Sequence, residues 1–219
     1  MKVLLIYDDV WHPAEVIDRG LKTFPARFDD YEIDCVKTAK DILTPEFVAE
    51  YPVVIVAKGN TINAANPAPW FEPTVTEFMP ADFRAYAENG GGLIFLHAGN
   101  VFSRKNAPEM AELNGNAFIG HPLRCMTHVY PVGDHPITAG VEAFDERDEH
   151  YNIEILADDI NVILRTASES GGDLISGYTR NIGKGRLCVL TPGHTLAIFA
   201  NPNFQTLLMN AIDWCAGKI

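Results

Sequence analysis

The sequence predicts an α/β sandwich whose central sheet is mostly parallel, extended in its second half by antiparallel strands. Three observations lead there. Short, solid apolar runs at 3–7, 53–57 and 93–96 suit strands covered on both faces. Helical patterns separate these runs, and strict strand–helix alternation points to a parallel sheet. After residue 120 the pattern changes to closely spaced strands, as in a sheet completed by antiparallel neighbours.

The elements follow in order. After the 3–7 strand, residues 13–24 place apolar side chains at 14, 16, 17, 21 and 24, a helical spacing with Pro13 in the first turn. Residues 31–36 alternate apolar and acidic side chains and read as a strand nearer an edge. Thr44-Pro45 opens a short helix, Thr as cap and Pro at the first position. A long loop at 58–75 follows the 53–57 strand, and loops of that length are commonly functional. Residues 81–87 are helical and stop at Asn89-Gly90-Gly91-Gly92. Strands are predicted at 125–132, 153–156, 162–166, 174–179 and 186–191, with a hairpin turn at Gly183-Lys184-Gly185. A helix over 202–215 closes the pattern. Asp134-His135-Pro136-Ile137 reads as structural, an Asx turn at Asp134 followed by a helical turn. The acidic stretch 145–151 reads as a solvated face with one carboxylate, Glu149, aimed inward.

With 219 residues, 47% of them hydrophobic, the chain can bury a large core without staples. No linker divides it, so 1–219 is expected to be a single domain. The net charge of −12 opposes nucleic acid and anionic lipid as partners. There is no run of the ~18 apolar residues a membrane span needs, and the short N-terminal run is not a signal peptide. The four cysteines form no C-x-x-C pair, and three lie in apolar runs as small buried hydrophobes. A reduced, cytoplasmic protein is expected.

Ligands of open α/β sheets bind beyond the carboxyl ends of the strands. Three of the predicted ends deliver a histidine: His12, His97 and His194. His97 sits between a Gly-rich strand and Ala98-Gly99, a sharp turn that would lift the imidazole above the sheet. An imidazole there transfers protons near neutral pH or ligates a metal. His194 is a second acid–base candidate, and His12 precedes a helix N-terminus that favours the neutral ring. Glu149 is a candidate general acid/base or metal ligand. A divalent metal such as zinc, held by His12, His97 and His194, is the alternative to pure imidazole chemistry. No Gly-rich phosphate loop follows the first strand, which counts against a nucleotide or flavin.

Trp11-His12-Pro13, Leu96-His97-Ala98-Gly99, Gly120-His121-Pro122, Asp134-His135-Pro136, Asp148-Glu149-His150-Tyr151 and Gly193-His194 occur in an order that resembles the ThuA-like (trehalose-utilisation) family over nearly the whole chain. The resemblance implies a flavodoxin-like three-layer sandwich of the class I glutamine amidotransferase type. In that superfamily a catalytic cysteine stands at the elbow. Here the position holds His97, and an imidazole cannot form the thioester an amidotransferase needs. The resemblance also implies chemistry on a disaccharide or keto-sugar: a hydrolase, lyase or isomerase. In that reading His97 and His194 share the proton transfers with Glu149. Asp8, His12 and Asn60 hold hydroxyls, His121 lies at the substrate, and Trp11 or Trp70 stacks on the sugar. The 58–75 loop acts as a lid, and a sheet edge or the 67–71 segment could make a homodimer. The alternative is a non-catalytic sugar-binding or regulatory module.

Overall fold

The computed structural model describes residues 1–60 and 69–219. The elements run β1 (Lys2–Tyr7), α1 (Ala14–Leu21), β2 (Glu32–Val36), α2 (Pro45–Val48), β3 (Val53–Ala57), α3 (Pro80–Glu88), β4 (Gly92–Leu96), α4 (Pro108–Asn114), β5 (Asn116–Gly120), β6 (Cys125–Pro131), β7 (Phe144–Asp148), β8 (Asn152–Ile155), β9 (Asn161–Ser168), β10 (Gly172–Ile182), β11 (Gly185–Leu190), α5 (Leu196–Ala200) and α6 (Pro202–Cys215). A nine-stranded sheet has the order β2-β1-β3-β4-β11-β10-β9-β6-β7, and β5 pairs with β8 in a separate ribbon. The contiguous strands β2, β1, β3, β4 and β11 are parallel to one another. The remaining four are antiparallel.

Alternation along β1 explains the layers. Val3, Leu5 and Tyr7 join one core with Ile17 of α1, Ile198 of α5 and Phe204 of α6. Leu4 and Ile6 face the other core with Val48 of α2, Phe83 of α3 and Met110 of α4. Because helices cover both faces, β1, β3 and β4 are apolar at nearly every position, as a doubly covered parallel strand requires.

The local signals hold at most places. The Thr44 side chain accepts the Phe47 N–H at 3.1 Å. Gly183, at φ 59°, turns the chain between the paired residues Ile182 and Gly185. One edge strand is β2, as its mixed pattern suggested, and the other is β7.

The differences are instructive. α1 ends at Leu21 rather than near 24. Ahead of its first turn, Asp8 rather than a residue beside the helix accepts the Ala14 N–H, at 2.9 Å. The 3₁₀ turn Pro136–Thr138 is capped by His135, whose Nδ1 accepts the Ile137 N–H at 3.1 Å, and not by Asp134. Part of the acidic stretch read as a solvated face is strand β7, whose charged side chains alternate with buried Phe144 and Asp148. The expected strand around 153–156 is real but stands outside the main sheet, on β5. Of the cysteines, Cys188 and Cys215 are buried, Cys125 is partly covered and Cys35 is exposed. Within the expected lid, residues 61–68, and with them Pro67 of the expected dimer contact, lie outside the described residues. Among the described residues no helix is long and apolar enough to cross a membrane.

The antiparallel strands curl. β10 carries register irregularities around Gly177, and such bulges bend a strand and increase its twist. Four reversals from β11 leave β7 running in the sense of the parallel strands. The curl then brings its carboxyl end back over theirs, although five places separate β7 from β4. Asp148 proves the return: its carboxylate accepts the backbone N–H groups of Gly193 at 2.8 Å and His194 at 3.0 Å.

Candidate functional site

Four side chains converge above the carboxyl ends of β1, β4, β7 and β11. His12, His97, Glu149 and His194 offer ligand atoms that all lie within 4.8 Å of one another. The three imidazole centroids are 5.0 to 5.3 Å apart. The Glu149 Oε2 stands 3.1 Å from His194 Nδ1 and 3.5 Å from His97 Nε2, and the two nitrogens are 3.3 Å apart.

The turn that presents His97 is built around it. His97 has φ 41°, left-handed backbone that is uncommon outside glycine. Asn100, fully buried, donates to the carbonyls of Phe95, His97 and Leu190 and locks the turn to β4 and β11. A Cβ on Gly99 would collide with the Val56 carbonyl, and one on Gly193 would come within 3.0 Å of the His97 Cβ. Both glycines are therefore conditions of the approach, and backbone strain concentrated at such a position accords with a functional turn.

Hydrogen bonds assign the ring protons. His97 Nδ1 lies 2.7 Å from the Thr191 carbonyl, so it carries the hydrogen and leaves Nε2 as a lone pair. His12 Nδ1 lies 2.8 Å from the Asp9 carboxylate, which likewise frees its Nε2. Asp9 also accepts the backbone N–H groups of Trp11, His12 and Gly59, pinning the β1 and β3 loops together. Tyr151 stacks on His97 at 4.3 Å and 28°, and its hydroxyl donates to His12 Nε2 at 3.2 Å.

Charge at the site follows from burial. Burial pushes the His97 imidazole down to about 4, against the opposing pull of Glu149 and the Thr191 carbonyl, so the ring is neutral at physiological pH. Burial pulls Glu149 up, but the His194 and His97 contacts outweigh it and hold the carboxyl well below its usual range. Burial raises Asp148 to about 7, opposed by the N–H groups of Gly193, Glu149 and His194. Burial, then the negative charges of Glu149, Asp148 and Asp9, keep the Tyr151 hydroxyl protonated.

Lone pairs therefore outnumber donors at the centre. His97 Nε2 and the ionised Glu149 face each other, and His12 Nε2 beside them accepts only the Tyr151 hydroxyl, a set that a shared proton or a cation can bridge. Among Glu149, His97 and His194 the donor spacing of 3.1 to 3.5 Å is close to the edge of a tetrahedron with zinc-like bonds, roughly 3.3–3.4 Å for 2.0–2.1 Å bonds, and with His12 the set spreads to within 4.8 Å. Asp9 and the Thr191 carbonyl stand behind two of the rings as the outer partners that orient metal-binding histidines. These residues fit a divalent metal.

The cluster lies at the floor of a cleft of about 650 Å³. His12, Glu149 and His194 line it together with Asp9 and Tyr151, while Trp11, Phe118, His121 and Arg124 form its outer wall. Trp11 reaches the wall from the loop after β1, whereas Phe118 and His121 come from the end of the β5–β8 ribbon, where Gly120 pairs with Asn152 and sets them beside Tyr151. His121 Nε2 is 3.6 Å from Glu149.

Among the residues expected at the site, His12, His97, His194, Glu149, Trp11 and His121 come together. Three do not. Trp70 is fully buried against Phe71, Phe83 and Phe102. Asn60 spends its amide on the backbone of Trp70 and Phe71. Asp8 serves the start of α1. Sequence reasoning missed Asp9, Tyr151, Phe118, Arg124 and Asp148. For Asp9 a signal existed, its three-residue spacing from His12. For the others the signal is tertiary.

Fold and site together define a doubly covered α/β protein with a histidine–glutamate cluster at its carboxyl-end cleft. The family model described as ThuA, trehalose utilisation, matches residues 2–215, and the chain belongs to that family. Among solved structures it is similar to a ThuA-like protein from Parabacteroides merdae, with TM-score 0.75, 20% identity and coverage of 100% of this chain and 91% of that one. It is also similar to a ThuA-like protein from Bacteroides uniformis, with TM-score 0.72, 22% identity and coverage of 98% and 91%. A protein titled cytoplasmic protein STM1381 from Salmonella typhimurium gives TM-score 0.67 at 16% identity, covering 100% and 98%. A search of curated proteins gave no match.

Proposed function

We propose that this ThuA-family protein is an enzyme of sugar metabolism acting on a keto-sugar or an oxidised disaccharide by histidine-assisted acid–base chemistry. The observation that carries the reading is the convergence of His12, His97, His194 and Glu149, with tautomers set so that lone pairs face one point. A neutral His97, its Nε2 open, suits abstraction of a proton next to a ketone, a role typically worth 10²–10⁴-fold. Glu149, ionised and 3.1 Å from His194 Nδ1, orients that ring as the second proton-transfer group. The Tyr151 hydroxyl, held protonated, supplies a fixed donor beside His12.

His12, His97, His194 and Glu149 would hold a divalent cation such as zinc, which when bound supplies Lewis-acid polarisation of a carbonyl. Trehalose utilisation, the description of the family, supports the sugar class of the substrate.

The test is turnover of keto-disaccharides and keto-glucosides by untagged protein, together with elemental analysis before and after chelation. The expected result is turnover that disappears in His97→Asn while the variant stays folded. Asparagine is the substitution of choice because it tolerates left-handed backbone. Equal turnover by wild type and His97→Asn would end the proposal.

A further inference from the structure

We infer that the outer half of the cleft is a subsite for a flat, apolar aglycone carried by the sugar, an inference that rests on the sugar reading above. Among the described residues, five of the eight large hydrophobic side chains left in solvent fall in two segments. Val10, Trp11, Ile119, Leu123 and Met126 are all strongly exposed, Trp11 at 70% and Leu123 at 92%. They belong to two segments, the loop after β1 and the stretch from β5 into β6, and Val10 and Trp11 line the cleft itself. Exposed apolar side chains on the lining of a polar-floored cleft, here Val10 and Trp11, suit a ligand that has an apolar part.

The geometry favours a ligand group. Trp11 is not on a loose loop: its backbone N–H donates at 2.9 Å to Asp9, the carboxylate that also orients His12. An uncovered indole on a pinned backbone is a platform. Below the indole, Phe118 meets Tyr151 edge-on at 4.8 Å between centroids, and Tyr151 stacks on His97 at 4.3 Å. Val10, Val101 and Phe118 give this half of the lining an apolar stretch against which an apolar ring leaves no hydroxyl unpaired. Arg124, on the same wall, carries a planar guanidinium that packs well against flat rings.

The comparison of Trp11 with the other tryptophans makes the test direct. Trp70 and Trp214 are buried at 0% and 9% exposure, so a ligand on the platform is reported by Trp11 emission. Phenyl β-glucoside, methyl β-glucoside and free phenol are titrated into the intact protein, by fluorescence and by calorimetry. The expectation is that phenyl β-glucoside binds about tenfold more tightly than methyl β-glucoside, the scale of one aromatic contact with its buried area, and that Trp11→Ala erases most of the difference. Equal affinities, or a preference that survives Trp11→Ala, would overturn the inference while leaving keto-sugar turnover as a separate result. Binding of phenol as tight as that of phenyl β-glucoside, with no turnover of keto-glucosides, would remove the sugar and leave an apolar ligand site. Light scattering gives the remaining outcome. A dimer that dissociates in both Trp11→Ala and Leu123→Ser, without a phenyl preference in wild type, would assign the patch to a second copy of the chain and overturn the subsite.

Discussion

In the parallel half of the sheet, β1, β4 and β11 end in loops that carry His12, His97 and His194. In the antiparallel half, β7 and the β5–β8 ribbon carry Glu149, Tyr151, His121 and Phe118. The first set reaches the cluster by the ordinary rule of open α/β sheets, because neighbouring parallel strands end side by side. The second set reaches it only because the bulged antiparallel strands curl back, with Asp148 tying the end of β7 to Gly193 and His194. The parallel half thus provides the imidazoles, and the antiparallel half provides the charge and the walls. The same fold position can therefore keep its histidines while its specificity is rebuilt by changes in the curling half.

The largest expected effect falls on the parallel half. His97→Asn should lower turnover by about 10²–10⁴-fold, read by steady-state kinetics, while circular dichroism stays native. From the antiparallel half, Glu149→Gln should lower turnover by about 10²-fold and cut bound divalent metal, measured by elemental analysis. A Glu149→Gln protein with wild-type metal content and rate would show that the curling half contributes walls alone. Asp9→Asn should weaken metal affinity about 10–100-fold, the scale of losing an outer partner, with a smaller effect on turnover at saturating metal.

A pH comparison sharpens the contrast. The folded His97 titrates at about 4 against 6.5 unfolded, so the unfolded chain binds the extra proton between those values. The stability share of the neutral ring is present above about 6.5 and is lost as pH falls toward 4, of order 3 kcal/mol at ~1.4 kcal/mol per unit. Wild type should therefore lose more melting temperature than His97→Asn over that window. The smallest effect belongs to His135, far from the cluster. His135→Ala should cost about 1 kcal/mol through the lost cap and leave turnover unchanged.

Much of this was legible locally. Solid apolar runs can only be doubly covered strands, and a histidine between a Gly-rich strand and Ala98-Gly99 can only be a special turn, as φ 41° at His97 confirms. Adjacent or like residues were not distinguishable that way. Asp8 and Asp9 are neighbours, yet the pleat and φ 79° at Asp8 send one carboxylate to the start of α1 and the other to His12. Trp11 and Trp70 have equal chemistry, yet one lies on a rim loop and the other in a core of phenylalanines. Glu149 followed a run of acids that looked solvated, and the end of β7 turned Asp148 of that run inward.

The sequence by itself determined the layers, the parallel strands and the three imidazole-bearing ends, because hydrophobic period and turn chemistry act over a few residues. Tertiary structure alone decided which carboxylate, which indole and which tyrosine join them. Those choices depend on the curl of a sheet and on contacts such as Tyr151 to His12, 139 residues apart, and no local pattern encodes a bend accumulated over four strands.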